Sequence, residues 1–210
     1  GEGQDIGQFW AELNVGNAKV KKTTANEIVT NGNAMYTIAG ATFGIFSDQN
    51  CSNQIGTLTT NENGDTNEVE VTAGTVYIKE LSAPKGYKLD TTVRSLKVGA
   101  GKTAVLNVSD VPKVTETLVD LFKIDMETGK ATAQGDAALS GAEFTWHYYD
   151  GLYTKDNLPE KATRTWVIKT VAEKDSDGNS HYVTKLTDAC KVSGDAFYTQ
   201  NEKSVLPLGT

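Results

Sequence analysis

The chain has few of the residues that usually announce a chemistry. Two cysteines, two histidines and four prolines occur in 210 residues. Cys51 and Cys190 lie far apart, and neither has a second Cys or His at metal-ligand spacing, so two unpaired thiols are expected rather than a disulfide-stapled scaffold. His147 and His181 are isolated. Ser and His fall into no triad-like order, and no glycine loop suited to cradling phosphates appears. No metal and no cofactor is therefore expected. Long apolar runs are also lacking: none approaches the roughly 20 residues that span a bilayer, and no basic-then-apolar start marks a signal peptide. The leading Gly-Glu-Gly reads as the edge of a fragment. A basic excess is missing too, since 27 Asp and Glu against 20 Lys and Arg leave a net charge of −7. This diffuse acidity argues against nucleic acid and anionic membrane surfaces, which both need a clustered basic patch.

What is present reads as β-structure. TFGIFS (42–47), EVEVT (68–72), TVYIKEL (75–81), VRSLKV (93–98) and TAVLNV (103–108) are short, broadly alternating and rich in β-branched or aromatic residues. Turn stretches such as SDQNCSN (47–53), NENGDTN (61–67) and GAGK (99–102) separate them. No long segment keeps a helical period. Strands about ten residues apart between Gly/Asn/Asp turns predict an all-β protein of sandwich type.

The sequence then partly repeats. IAGATFGIF (38–46) matches LSGAEFTWH (139–147), and AKVKKTT (18–24) matches VDLFKID (119–125), both at an offset of 101. A third match, AGT (73–75) with LGT (208–210), has slipped to 135, which leaves about 34 extra residues (135 − 101) in the second copy. Two tandem sandwich domains follow, 17–112 and 113–210, after a leading segment 1–16 of unassigned role. The short join PKVTET (112–117) favours an end-to-end arrangement.

Alternation also directs three ionisable groups inward. Val20 and Lys22 share a face, as do Val76, Ile78 and Glu80, and Leu106, Val108 and Asp110. Burying unpaired ions costs several kcal/mol each, so such a cluster must pair, shift its pKa values or form a bond. A neutral lysine amine is a nucleophile and a neutral carboxyl is an attackable carbonyl. A neighbouring Glu can shuttle the protons. The product would be a side-chain amide made once and never turned over. Lys21 and Lys19 compete as donors, and Asn107 competes as acceptor from the opposite face of its strand.

ELSAPKGYKLD (80–90) resembles the E-box of the Cna protein B-type domains, prealbumin-like sandwich modules of Gram-positive pilins and surface adhesins. GATFGIF and GAEFTW resemble that family's GAxF strand, and KIDMETGK (123–130) is similar to its first-strand stretch. The resemblance implies Ig-like/prealbumin-like domains on the cell wall. It also implies an intramolecular isopeptide bond between Lys22 and Asp110 assisted by Glu80, with Lys21 and Asn107 as alternates. Its opening strand departs from the family pattern, reading KKTTAN and running into an unusual TNGNAMY stretch (30–36). A bond from residue 22 to residue 110 closes a loop of 88 residues. The chain-entropy treatment of cross-links gives it roughly 4.5 kcal/mol.

The function this implies is a structural stalk or pilin-like module, non-enzymatic apart from its own cross-linking. Its partners would be neighbouring domains of a parent surface protein. The alternative is an adhesin whose enlarged second domain contacts a host protein or glycan. Asp175-Ser-Asp177-Gly178 reads as a solvated hairpin turn rather than a calcium loop, and the aromatics of WHYYDGLY (146–153) as packing. The closing LPLGT (206–210) is not a sortase signal, because its order is wrong and it stands where VTAGT (71–75) stands in the first copy. The second copy is thus expected to stop short of its own E-box, leaving Lys123 a donor without Glu or acceptor and the sandwich short of about three strands.

Overall fold

The computed structural model describes residues 14–116, 123–132, 134 and 138–210. The described residues divide into two compact units, one holding residues 14–23 together with Thr37–Asp110, the other holding Thr24–Tyr36 and the described part of Val111–Thr210. The chain passes from the first unit to the second after Asp110, and residues 24–36 group with the second unit.

The first unit is built from β1 (Val15–Thr24), β2 (Thr42–Phe46), β3 (Gln54–Thr59), β4 (Val69–Thr72), β5 (Gly74–Ser82), β6 (Arg94–Val98) and β7 (Thr103–Asp110). Two sheets form, ordered β4-β1-β7 and β3-β2-β5-β6. Their inner faces share one apolar core, with Val20, Val71 and Val108 from the first sheet and Phe43, Ile45 and Ile78 from the second. This is the sandwich that alternation predicts, since period-2 side chains put every second residue between the sheets. β1 shows the pattern most cleanly, burying Gly16, Ala18, Val20 and Lys22 in turn. β3 has no counterpart among the strands read from sequence. Only Leu58 of its six residues is buried, so its inward face carries almost no apolar signal.

The second unit contains a four-residue helix, α1 (Glu27–Thr30), and β8 (Val114–Thr115), β9 (Glu143–Tyr148), β10 (Arg164–Lys169), β11 (Val171–Lys174), β12 (Ser180–Val183), β13 (Lys191–Gly194), β14 (Tyr198–Gln200) and β15 (Lys203–Pro207). They form sheets β13-β10-β9 and β14-β15-β8 and the hairpin β11-β12. Trp166, Ile168, Val183 and Val205 are fully buried there. The turn of the β11–β12 hairpin is closed by Asp175, whose carboxylate accepts the N–H groups of Asp177 and Asn179.

One hydrogen-bonded corner occurs twice. In the first unit Thr60 Oγ1 donates to Ile38 O (2.7 Å) and accepts from Ala41 N (2.9 Å), while Gly40 N donates to Thr60 O (2.9 Å). In the second, Thr170 Oγ1 donates to Leu139 O (2.7 Å) and accepts from Ala142 N (3.0 Å), while Gly141 N donates to Thr170 O (2.9 Å). Gly40 and Gly141 both adopt positive φ, 86° and 77°, where glycine is favoured. The slipped third match has a structural counterpart as well. Tyr149 and Thr210 exchange both backbone bonds, at 2.8 and 3.0 Å. Subtracting the two offsets gives residues 48 and 75, which continue the antiparallel ladder two residues beyond Phe46↔Tyr77.

Candidate functional site

Lys22 is the last inward residue of β1, Glu80 is the third inward residue of β5, and Asp110 closes β7. β1 and β7 are neighbours in one sheet, and β5 is central in the other, so the three side chains converge at one end of the sandwich interior. Lys22 is 1% exposed, Glu80 3% and Asp110 2%. Lys22 Nζ donates to Glu80 Oε1 at 2.6 Å and lies 2.5 Å from Asp110 Oδ2. That second approach lacks hydrogen-bond geometry: Asp110 Oδ2 is buried without a hydrogen-bond partner although the amine nitrogen is beside it. The contact is therefore one of charge and proximity, not a settled hydrogen bond.

The rest of the cage comes from the same two sheets. Phe43 stands opposite Glu80 in the β2/β5 register, and its ring centroid is 4.9 Å from Lys22 Nζ. An ammonium over an aromatic face is attracted by the ring quadrupole, and the ring also excludes water. Glu80 Oε2 accepts the backbone N–H of Asp90 at 2.8 Å. Asp90 is itself held by the Thr92 N–H at 2.9 Å and by Arg94 Nη2 at 2.6 Å. Burial raises the Glu80 carboxyl above its ordinary value; the bonds from Lys22 and the Asp90 N–H only partly offset this, and the nearby Asp110 charge adds to it. Partial burial pushes Asp90 upward, but Thr92 and Arg94 outweigh it and bring the carboxyl down to about 2.

The structure brings together Lys22, Glu80 and Asp110 and keeps the alternates apart from them. Lys21 points to the other side of β1, where Nζ meets Asp65 Oδ2 at 2.9 Å and Asn63 O at 2.8 Å; Lys19 approaches the same carboxylate at 3.6 Å. Lys21 and Lys19 thereby hold Asp65 below the usual carboxylate range, the hydrogen bond from Lys21 being the main cause. Asn107 is exposed on the outer face of β7. Lys123 is half-buried, with its backbone N–H on Tyr182 O at 3.1 Å; most of the strand expected to carry it, residues 117–122, lies outside the described residues. Both cysteines are free, Cys190 buried and Cys51 half-buried.

Two contributors were not singled out from the sequence. Asp90 acts through a backbone donor, which no side-chain pattern reveals. Phe43 could have been found by pairing the GATFGIF strand against KEL, because its register sets that ring across from Glu80.

Residues 16–112 match the family model described as "SpaA: Prealbumin-like fold domain". Among curated proteins, the trypsin-resistant surface T6 protein of Streptococcus pyogenes serotype M6 is 34% identical over 88 residues, an alignment covering 38% of this chain and 16% of that protein. The chain thus spans about a sixth of that relative's length. Among solved structures, the Bacillus anthracis TIE protein matches 81% of this chain and 26% of its own, at 24% identity and a TM-score of 0.48. BcpA, the major pilin subunit of Bacillus cereus, matches 48% of this chain and 30% of its own, at 27% identity and a TM-score of 0.38.

Proposed function

We propose, from the premise that residues 16–112 are a SpaA-type prealbumin-like domain, that the chain is a load-bearing module of a bacterial cell-surface protein. In this reading its first domain locks itself with a Lys22–Asp110 isopeptide bond. The observation that carries the proposal is the buried, water-excluded cluster in which Lys22 Nζ lies 2.5 Å from an Asp110 oxygen that has no hydrogen-bond partner. The curated relative is named as a surface protein, which supports an extracellular setting. Among the described residues no helix is long and apolar enough to cross a membrane. The recurring Thr60 and Thr170 corners support a second copy of the module in residues 113–210.

The chemistry balances without a co-reactant. A proton passes from the Lys22 ammonium to the Asp110 carboxylate, leaving a neutral amine and a neutral acid. Nζ attacks Asp110 Cγ and the C–N bond forms. Glu80 relays a proton from the nitrogen to the departing hydroxyl, the C–O bond breaks, and one water leaves. A Glu80 carboxyl raised by burial suits that relay, because its proton is held and returned at little cost. The product has no charge on Lys22 or Asp110, which relieves the desolvation of both. It also ties the domain's first strand to its last, so tension entering at β1 leaves at β7 through a covalent link. Intact-mass measurement tests this. A deficit of one water is expected for the wild type and the full calculated mass for Glu80→Ala; full mass in the wild type overturns the reading.

A further inference from the structure

The stretch from Thr24 to Tyr36 interrupts the first sandwich between β1 and β2, yet it packs wholly within the second unit. Its contacts there are made chiefly by two buried side chains, Asn33 and Tyr36. Asn33 is nearly fully buried, and its amide donates to Tyr148 Oη at 2.9 Å and to Leu208 O at 3.0 Å, while its Oδ1 accepts from Met35 N at 2.9 Å. Tyr36 Oη donates to Lys113 O at 2.6 Å and accepts from Leu208 N at 2.8 Å. Asn26 Nδ2 donates to Thr199 O at 2.8 Å, and the Val29 side chain of α1 is buried.

These bonds answer needs that residues 111–210 meet only in part for themselves. Leu208 lies just past the end of β15, where the ladder to β14 and β8 no longer covers it. The segment supplies a partner for its N–H, and an amide for its C=O beside the Tyr148 hydroxyl that also donates there at 3.0 Å. Tyr148 is pushed upward in pKa chiefly by burial, so its hydroxyl stays neutral and bridges Asn33 and Leu208. Asn33, Tyr36 and Tyr148 are buried, and buried polar groups left without partners are strongly penalised, so these side chains favour the docked arrangement.

We propose that residues 24–36 are a docking segment that the second domain requires, and that residues 111–210 carry the receiving surface, centred on Tyr148, Leu208 and Lys113. The partner this surface fits is a short polar strap of Asn-x-x-Tyr pattern from within the neighbouring domain of the same chain. Residues that read as part of the first module then belong to the fold of the second unit.

Hydrogen exchange on the full chain tests it, comparing wild type with the double variant Asn33→Ala/Tyr36→Phe. Loss of four bonds to the receiving surface is expected to speed exchange of the amides around residues 144–149 and 203–210 by about tenfold or more, since each bond is worth a few-fold in the opening equilibrium. Exchange in β2 and β5 is expected to stay at wild-type rates. Unchanged exchange at residues 203–210, or equal acceleration in both units, overturns the proposal. The readout is independent of cross-linking, which intact mass reports separately.

Discussion

A lysine between two carboxylates in a sandwich interior carries one net negative charge out of water if all three ionise. The raised carboxyl of Glu80 is the response to that burden. Removing the cation leaves two buried acids facing each other, so Lys22→Met is expected to abolish the bond and to cost about 3–5 kcal/mol by urea unfolding. Asp110→Asn keeps an attackable carbonyl in the same place, and its product is expected to lack one ammonia instead of one water by intact mass. At the mouth of the site the Asp90–Arg94 pair orients the N–H that holds Glu80. Asp90 is depressed from 3.8 to about 2, so its contribution is complete above the unfolded value and is lost as pH falls through that window. Backbone exchange in residues 83–93 is expected to rise between pH 4 and pH 2 in the wild type. In Arg94→Gln it is expected to be fast already at pH 4 and to change less on acidification.

At the scale of elements, period-2 burial made the site legible. Lys22, Glu80 and Asp110 each sit two residues beyond an apolar inward neighbour, and the structure keeps all three on that face. The fit of β1 depends on one turn. Lys22 N donates to Gly64 O at 2.8 Å, and Gly64 has φ of 78° with Lys22 O 2.1 Å from where a Cβ would stand. Gly64→Ala is therefore expected to push β1 outward at Lys22 and to leave a fraction of the protein at full mass. Other elements carried no comparable signal. β3 buries only Leu58 of its six residues, and segment 24–36 is held by side-chain bonds to residues 77–175 positions away in the chain. Neither an edge strand facing water nor a strap with no period leaves a pattern in hydrophobicity. The TNGNAMY letters of that segment read as an insertion because their partners lie in residues 113–208.

For the whole molecule, the matched stretches of sequence share one corner: a glycine at positive φ and a threonine hydroxyl bridging two backbone groups. The offset of 101 implies domains that follow one another, whereas the chain passes between units at Thr23, Tyr36 and Asp110. Lys22 and Asp110 flank the first and last of these crossings. The proposed covalent link would join the two chain segments at the points where they leave the first unit, so that force passing along the chain would not have to be borne by the hydrogen bonds of β1 and β7. The most direct test of the account is fragment mapping of the folded protein after proteolysis. The expected result is a branched peptide in which Lys22 Nζ is joined to Asp110 Cγ with loss of one water. Recovery of separate linear peptides carrying an unmodified Lys22 and an unmodified Asp110 would contradict it.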